Sequence, residues 1–237
     1  MHQVINGIYL GHINYSESSV IGRFYTQEFG KQSFVIKGAK SKKSKIIGLL
    51  QPLNELEIIS NFQESKNLNT SYGVTIVNVR NNIHSDIRKT TIALFLSEIL
   101  NKSIIEEEAN FPLYQFILSN INALNKEKFD ANFHIRFLIE LSLLMGFYPL
   151  QSHQTSNNVF NLEDGIFENE NAASPIHLNK SISAELSKVL SHGANDETIS
   201  KVNRFELLDG LVTYYEIQLG LKSNSFHSHE ILKTVFS

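Results

Sequence analysis

The chain has 237 residues, of which 42% are hydrophobic and 19% charged, a balance typical of folded globular proteins. It contains no cysteine, which excludes disulfide bonds, thiolate zinc sites and thiol nucleophiles and fits a reducing cytoplasm. The net charge is −3, yet residues 1–50 carry seven lysines and arginines against two glutamates. This uneven distribution predicts a local anion-binding face on an acidic body, although an ordinary lysine-rich surface loop gives the same count.

Nothing in the sequence indicates export or membrane insertion. The first residues lack the basic and apolar run of a secretory signal. The most apolar helical stretch, residues 135–148, is interrupted by Arg136 and Glu140 and is too short to cross a bilayer. We therefore expect a cytoplasmic protein.

Five short strands are predicted in the first eighty residues. Alternating, β-branched and aromatic residues mark the segments 4–11, 19–27, 32–37, 56–62 and 72–79. A tight turn is predicted at residues 28–31, with Gly30 at a positive φ. Five strands within this length predict a small barrel, and a five-stranded OB-like barrel is the preferred version.

A polar, basic segment at residues 38–45 separates the third and fourth strands and is predicted to be a mobile loop. Its lysines can follow a phosphate backbone without a fixed register, and a neighbouring exposed tyrosine can stack on a base. Tyr25 shares a face of the second strand with Arg23, opposite Phe24. The alternative is that Tyr25, like Tyr9, merely covers the barrel. The predicted DNA contacts are Arg23, Tyr25, Lys37, Lys40, Lys42, Lys43 and Lys45.

From residue 86 onward the hydrophobic period is helical. A capping box of Ser103 and Glu106 is predicted to begin the second helix, while Gly146 and Gly220 are predicted to end later helices. Residues 151–174 have weak periodicity and unbalanced acidic residues. The predicted fold class is α+β, with an OB-fold DNA-binding domain at residues 1–82. An all-helical domain at residues 83–237 is predicted to carry an irregular acidic insert near residues 151–175.

Enzyme signatures are absent from the sequence, which contains no phosphate-binding glycine loop, zinc-protease helix motif or serine nucleophile elbow. His227 and His229 are the closest histidine pair, and two surface histidines explain them better than a metal site. Negative charge at a helix N-terminus explains the acidic run at residues 106–108. We predict that the protein is not an enzyme and uses no cofactor or metal. The alternative is an enzyme whose site is assembled from scattered residues.

The basic strand-loop region carries a family likeness. Residues 22–31, 35–40, Ser44 and residues 51–53 resemble the N-terminal domain of RecO-type recombination mediators. The likeness continues in the same order through most of the chain, at residues 133–138, 143–149, 160–167 and 221–223. The resemblance implies an OB-fold domain followed by a helical domain.

The resemblance also implies a function. RecO-type proteins bind single- and double-stranded DNA, anneal complementary strands and work with RecR to load RecA on strands coated by single-strand-binding protein. Many members carry a four-cysteine zinc module in the insert, which this cysteine-free chain cannot form. Whether the insert keeps a metal-free version of that module is left open.

The same resemblance implies that the helical domain binds the acidic C-terminal tail of single-strand-binding protein. Phe133, Phe137 and Leu141 share one side of a predicted helix, with Arg136 at its margin. A guanidinium beside an apolar groove suits a terminal carboxylate next to an aromatic ring. We therefore predict partner contacts at Arg136 and Phe137. The alternative is that Arg136 pairs with Glu140 one turn later.

The sequence therefore predicts a bacterial, nucleoid-associated mediator of DNA repair and recombination. Its partners are expected to be single- and double-stranded DNA, RecR, the tail of single-strand-binding protein and, indirectly, RecA, with no membrane contact. The alternative from another class is an RNA-binding OB module with a helical protein-interaction domain.

Overall fold

The computed structural model describes residues 2–105, 108–150, 158–171, 175–192 and 199–237. Its elements in chain order are β1 (Gln3–Asn14), β2 (Val20–Thr26), β3 (Gly30–Ile36), α1 (Ile46–Leu49), β4 (Glu55–Ser60), β5 (Asn69–Ile76), α2 (Asn81–Ser85), α3 (Ile87–Ser103), α4 (Phe111–Leu124), α5 (Phe133–Leu144), β6 (Asn158–Asn161), β7 (Ile166–Asn169), α6 (Lys180–His192), α7 (Lys201–Gln218) and α8 (Ser228–Phe236). No helix within these ranges is long and apolar enough to cross a membrane.

The first five strands form a closed barrel in the order β1-β2-β3-β5-β4. Strands β3 and β5 pair in parallel, and every other neighbouring pair in the barrel is antiparallel. This is the five-stranded arrangement expected of an OB fold. The predicted barrel and its five strands are therefore confirmed.

Every second side chain along β2 and β3 points inward, and these side chains fill the barrel. Val20, Phe24 and Phe34 have no exposed surface and pack together in the core, and burying such a side chain stabilises a fold by about 1.5–3 kcal/mol. Gly22 leaves the room that these rings need, because a Cβ there would lie 2.8 Å from the Phe24 ring. The hydrophobic pattern thus specifies which face of each strand points inward.

The turn between β2 and β3 has the predicted chemistry. Gly30 adopts a φ of 60°, in the left-handed region that glycine enters at little cost. The Thr26 hydroxyl donates to the Gly30 carbonyl at 2.8 Å and accepts from the Phe29 amide at 3.1 Å. These bonds hold the two strands in register.

Helix α3 covers part of the barrel's outer wall. The Ser97 hydroxyl donates to the Leu10 carbonyl at 2.7 Å. Lys31 donates from Nζ to the carbonyls of Asn101 and, at 2.8 Å, Ile104, which satisfies carbonyls at the C-terminal end of the helix. Burial, followed by the Arg23 charge, lowers the pKa of Lys31. These bonds fix the C-terminal end of α3 against β3.

The capping box predicted at Ser103 is wrong, because Ser103 is the last residue of α3. Helix α4 begins instead at Phe111, where the Asn110 side chain accepts from the Leu113 amide at 3.0 Å. Asparagine is as good an N-cap as serine, and the proline at the next position fits a helix start. Of the acidic run assigned to a helix start, Glu108 precedes that start and residues 106–107 lie outside the described residues.

The chain divides into two compact units, one reaching to Phe129 and including Phe236, the other comprising Asp130–Val235 and Ser237. The sequence predicted a boundary between two folding domains at residues 82 and 83. A division into compact units does not test which segments fold independently, so this boundary stays a prediction. In the second unit the Tyr215 hydroxyl donates to the Leu138 carbonyl at 2.6 Å, which joins α7 to α5.

Glycines end helices α5 and α7 of the second unit, as predicted. Gly146 has a φ of 85° and Gly220 a φ of 62°. In each case the following amide donates back into the helix, Phe147 to Ser142 at 2.9 Å and Leu221 to Glu216 at 2.8 Å. This six-to-one bond is the Schellman motif.

The acidic insert was predicted to be irregular, and for its described residues that prediction is wrong. Strands β6 and β7 form an antiparallel hairpin in which Phe160 pairs with Phe167. The buried Asn161 side chain closes the turn: Oδ1 accepts from the Glu163 and Asp164 amides at 2.8 and 3.2 Å. Its Nδ2 donates to the Asp164 and Glu168 carboxylates at 2.9 and 2.7 Å. Four-residue strands are too short for a periodic signal, which explains the error.

Candidate nucleic-acid interface

The basic loop, residues 37–45, is anchored to the barrel by one buried side chain. Ala39 has no exposed surface and belongs to the barrel core. Gly38 adopts a φ of 69°, and the Ser41 and Ser44 amides donate to the Gly38 and Ser41 carbonyls at 3.1 and 2.9 Å. The predicted loop is therefore a pair of hydrogen-bonded turns, while its mobility stays a prediction. Its exposed cations are Lys37, Lys40, Lys42, Lys43 and Lys45.

A second loop, residues 15–19 between β1 and β2, is attached to the basic loop. The Lys40 amide donates to the Ser18 carbonyl at 3.0 Å, and Lys40 Nζ donates to Asn14 Oδ1 at 3.1 Å. The Tyr15 amide donates to the Ser19 carbonyl at 3.1 Å, which closes the second loop on itself. The two loops therefore form one surface.

The charge of this surface is almost entirely positive. Glu17 is the one acidic side chain in the two loops. Burial, and then the Lys40 charge, lower the pKa of His12, so that this histidine is neutral at pH 7. Among the residues that the structure describes, no ion pair neutralises the loop cations Lys37, Lys40, Lys42, Lys43 and Lys45.

Arg23 lies on the outer wall next to this surface. It is half-buried on β2, opposite Gly11 of β1 and Ser33 of β3. Neither neighbour carries a large side chain. Arg23 therefore adds a positive charge to the strand wall of the barrel.

The stacking role predicted for Tyr25 is wrong. Its ring is 1% exposed and lies 6.3 Å from the Tyr114 ring of α4. Its hydroxyl donates to the Asn110 carbonyl at 3.4 Å. Tyr25 does face outward from β2, as the alternation predicted, but helix α4 covers that end of the strand. Tyr9 is also buried, in the barrel core beside Phe24.

Two tyrosines that sequence reasoning missed are exposed at the surface instead. Tyr15, in the loop after β1, is 58% exposed, and Tyr72, on β5, is 61% exposed. The His2 ring lies edge-on to Tyr72 with the ring centroids 4.7 Å apart. A signal existed in the sequence for Tyr15, because it stands before three serines and a glutamate in a turn-like segment.

Strand pairing relates both tyrosines to the start of the basic loop. Val20 pairs with Asn14 on one side and with Ile36 on the other, and Ile36 pairs in parallel with Ser71. The next residues after this row are Tyr15 following β1, Lys37 following β3 and Tyr72 on β5. The tyrosines therefore stand on either side of the start of the basic loop.

In the second unit, Arg136 already has an intramolecular partner. It forms an ion pair with Asp130, and its side chain is 18% exposed. Burial lowers the pKa of the Arg136 guanidinium, while the Glu140 carboxylate acts in the opposite direction. Asp130, and not Glu140 as the alternative assumed, is the direct partner.

The partner contact predicted at Phe137 is wrong, because Phe137 is 2% exposed. Leu141 and Phe133 on the same side of α5 are also buried. This helix face is part of the core of the second unit, since α7 packs against α5. The apolar stripe of an amphipathic helix faces the core, and Phe137 belongs to that stripe.

One group of possible metal ligands exists within the described ranges, formed by Asp209, His229 and Glu230. Lys233 Nζ lies 2.9 Å from the Asp209 carboxylate and 3.0 Å from that of Glu230. The Lys233 ammonium already pairs with both carboxylates, so the group has the chemistry of an ion-pair network between α7 and α8.

Comparison with known proteins agrees with this architecture. The family model described as Recombination protein O N terminal matches residues 1–80, and that described as Recombination protein O C terminal matches residues 84–226. This chain belongs to the RecO family of DNA repair proteins.

Relatives named DNA repair protein RecO cover nearly the whole chain. One from Flavobacterium psychrophilum is 34% identical over 234 residues, covering 97% of each chain. One from Flavobacterium johnsoniae is 30% identical, again with 97% of each chain covered, and one from Phocaeicola vulgatus is 29% identical over the full length of both. The OB-like barrel of this RecO-family chain, with its basic loop, corresponds to the N-terminal family model.

Proposed function

We propose that this RecO-family protein binds single- and double-stranded DNA through the surface formed by the basic loop, the β1–β2 loop and Arg23. The observation that carries the proposal is the anchored cluster of five exposed lysines at one end of an OB barrel. OB folds bind oligonucleotides on the face of their second and third strands and on the adjoining loops. The proposed contacts are Arg23, Lys37, Lys40, Lys42, Lys43 and Lys45.

The mechanism is electrostatic capture without sequence readout. Each lysine that neutralises a phosphate releases condensed counterions, which makes binding strong at low salt and weak at high salt. The loop cations stand on a backbone held by the buried Ala39 and by the Lys40–Ser18 hydrogen bond. Such a surface holds a phosphate backbone while leaving the bases of a single strand accessible for pairing.

From this mechanism follows the proposed role in repair. Holding two complementary strands with their charges neutralised lowers their mutual repulsion, and this accelerates annealing. With RecR, the same protein is proposed to help load RecA on strands coated by single-strand-binding protein. Neither step needs a nucleotide, and we propose that the protein is not an enzyme.

The test is the annealing of complementary oligonucleotides that are coated with the cognate single-strand-binding protein. We expect the protein to accelerate annealing of coated strands, and fluorescence anisotropy to detect binding to labelled single and duplex DNA. A matched RNA oligomer separates this proposal from an RNA-binding OB module. Tighter binding to RNA than to DNA, or no annealing, would reject the proposed function.

A further inference from the structure

We propose that Tyr15 and Tyr72 are base-stacking platforms that select single-stranded over duplex DNA beside the basic loop. This inference rests on the proposed DNA-binding function and adds what that function lacks, namely a contact with the bases. The lysines of the basic loop attract the phosphates of single strands and duplexes alike. Discrimination between the two forms needs groups that recognise an unpaired base.

The first argument is exposure. A large aromatic ring is usually buried when it serves only to stabilise the fold. Tyr15 and Tyr72 are 58% and 61% exposed, whereas Tyr9, Tyr25, Tyr114, Tyr214 and Tyr215 are each no more than 2% exposed. Tyr15 follows Asn14 and Tyr72 follows Ser71, and both of these residues belong to the row of strand pairs through Ile36, after which the basic loop begins.

The second argument is the position of each ring relative to a lysine. Tyr15 follows Asn14, whose side-chain oxygen accepts from Lys40 Nζ at 3.1 Å. Tyr72 follows Ser71, which pairs in parallel with Ile36, so Lys37 and Tyr72 continue adjacent strands side by side. Alternating cations and aromatic rings are the features with which OB folds bind single strands, the cations at the backbone and the rings at the bases.

The third argument is that each tyrosine has a contact that limits its position. The Tyr15 amide donates a hydrogen bond to the Ser19 carbonyl, and the His2 ring lies edge-on to the Tyr72 ring. Along the barrel wall through β2 and β3, three strand spacings separate β1 from β5, or about 14 Å. A single strand of about 4–16 nucleotides, the site size of one OB fold, is long enough to cross this span.

Stacking distinguishes the two forms of DNA because paired bases already stack on each other and offer no free face. Each tyrosine that is truncated to alanine removes one platform, and we expect the affinity for oligo(dT) to fall about 5- to 150-fold. Affinity for duplex DNA should stay within about twofold. The salt dependence of binding should not change, since no cation is removed.

The absence of tryptophan from the chain allows a direct test. Tyr15→Trp and Tyr72→Trp each introduce a single indole, whose emission is quenched when a base stacks on it. We expect oligo(dT) to quench both and duplex DNA of equal length to quench neither. The matched control is Phe111→Trp, because Phe111 is 56% exposed but lies beside Asn110, which contacts the opposite end of β2.

The outcomes separate the inference from the proposed function. If anisotropy detects binding but the indoles introduced at the two tyrosine positions are quenched no more than the indole of the control variant, the lysines bind DNA and the stacking assignment is wrong. If neither form of DNA binds the wild-type protein, the proposed function itself fails. Tyr15→Phe and Tyr72→Phe should keep single-strand affinity, because the ring and not the hydroxyl stacks on a base. A loss of affinity in these phenylalanine variants would overturn the stacking assignment in favour of hydrogen bonding by the hydroxyls.

Discussion

At the scale of single residues, His134 couples the fold to pH. It has no exposed surface on α5, and burial, followed by the Arg204 charge, lowers its pKa to about 3. An unfolded chain takes up this proton near pH 6.5, whereas the folded protein does not until near pH 3. The free energy of unfolding therefore falls as the pH drops from about 6.5 toward 3, by roughly 1.4 kcal/mol per pH unit.

His134→Gln should remove this dependence. Urea unfolding at pH 7.5 and pH 5.5 measures it, and wild type should lose about 1.4 kcal/mol more than the variant between these pH values. Equal losses in both proteins would mean that His134 does not titrate differently in the folded and unfolded states. The comparison uses differences between two pH values, so any general destabilisation by glutamine cancels.

Tyr25 illustrates what the sequence predicts about a single residue and what it does not. Strand alternation correctly placed Tyr25 opposite Phe24, but alternation describes only the two faces of a strand. Whether the outer face meets water depends on α3 and α4, which begin more than sixty residues later in the chain. Exposure on the face of a strand is therefore a long-range property, and the exposed Tyr72 on β5 had to be found in the structure.

At the scale of elements, the basic loop is expected to supply most of the electrostatic binding energy. Changing Lys40, Lys42, Lys43 and Lys45 to alanine should weaken binding to all DNA sequences alike. The slope of log affinity against log salt should shrink by roughly 3 on single strands, if all four neutralise phosphates. Titrations at several salt concentrations measure this slope.

A charge-matched control separates the effect of the loop lysines on DNA binding from the effect of a lower net charge. Lys126 and Lys128 are exposed lysines in the same compact unit but follow α4, away from the loop in sequence. Their double alanine variant should leave the slope nearly unchanged, whereas Lys42→Ala with Lys43→Ala should lower it by roughly 1.4. Equal effects of the two pairs would place the DNA elsewhere.

The hairpin of β6 and β7 is stabilised by the side-chain hydrogen bonds of Asn161. Four hydrogen bonds converge on this buried amide, two at its oxygen and two at its nitrogen. Asn161→Ala leaves these partners unsatisfied and should lower the free energy of unfolding by about 1–3 kcal/mol. Asn169→Ala removes one exposed bond, to the Asn171 amide, and should cost less than about 1 kcal/mol. Urea unfolding of the two variants measures the difference, and equal losses would mean that Asn161 does not hold the hairpin.

The same hairpin bears on the expected absence of structural zinc. The chain has no cysteine, and the turn is closed by an amide and by backbone donors. A chelator should therefore leave the melting temperature unchanged, and elemental analysis should find no stoichiometric metal. Zinc bound through histidines and carboxylates of residues 153–177 would disprove this. Sequence reasoning predicted that no thiolate site exists but missed the hairpin, because its stability comes from one side chain and two short strands.

At the scale of the whole molecule, the two predicted binding regions fall in different compact units. The first unit carries the basic loop, and the second carries Arg136 together with the acidic insert. The five strands of the barrel and the helix ends at Gly146 and Gly220 followed from periodicity and glycine positions, which are local. The assignment of Arg136 depends on its ion pair with Asp130, six residues earlier and outside the helix repeat, which no periodic pattern contains.

Because of that ion pair, the predicted contact with the acidic tail of single-strand-binding protein can be tested with two variants that should have opposite effects. If Arg136 receives the tail carboxylate, Asp130 competes for the same guanidinium. Arg136→Ala should then lose about 1.5–3 kcal/mol of affinity for a fluorescent tail peptide, the scale of a charged hydrogen bond. Asp130→Asn should instead strengthen peptide binding, because it releases the guanidinium.

The control for this pair is Lys222→Ala, which removes an exposed cation of the same unit and should change peptide affinity little. Binding of naked DNA should persist in all three variants, because the proposed DNA contacts belong to the other unit. If Arg136 only stabilises the second unit, both substitutions in the ion pair should lower the free energy of unfolding and neither should change peptide affinity. The assignment of Arg136 to the tail would then be wrong, because the guanidinium would bind only the Asp130 carboxylate and not the peptide.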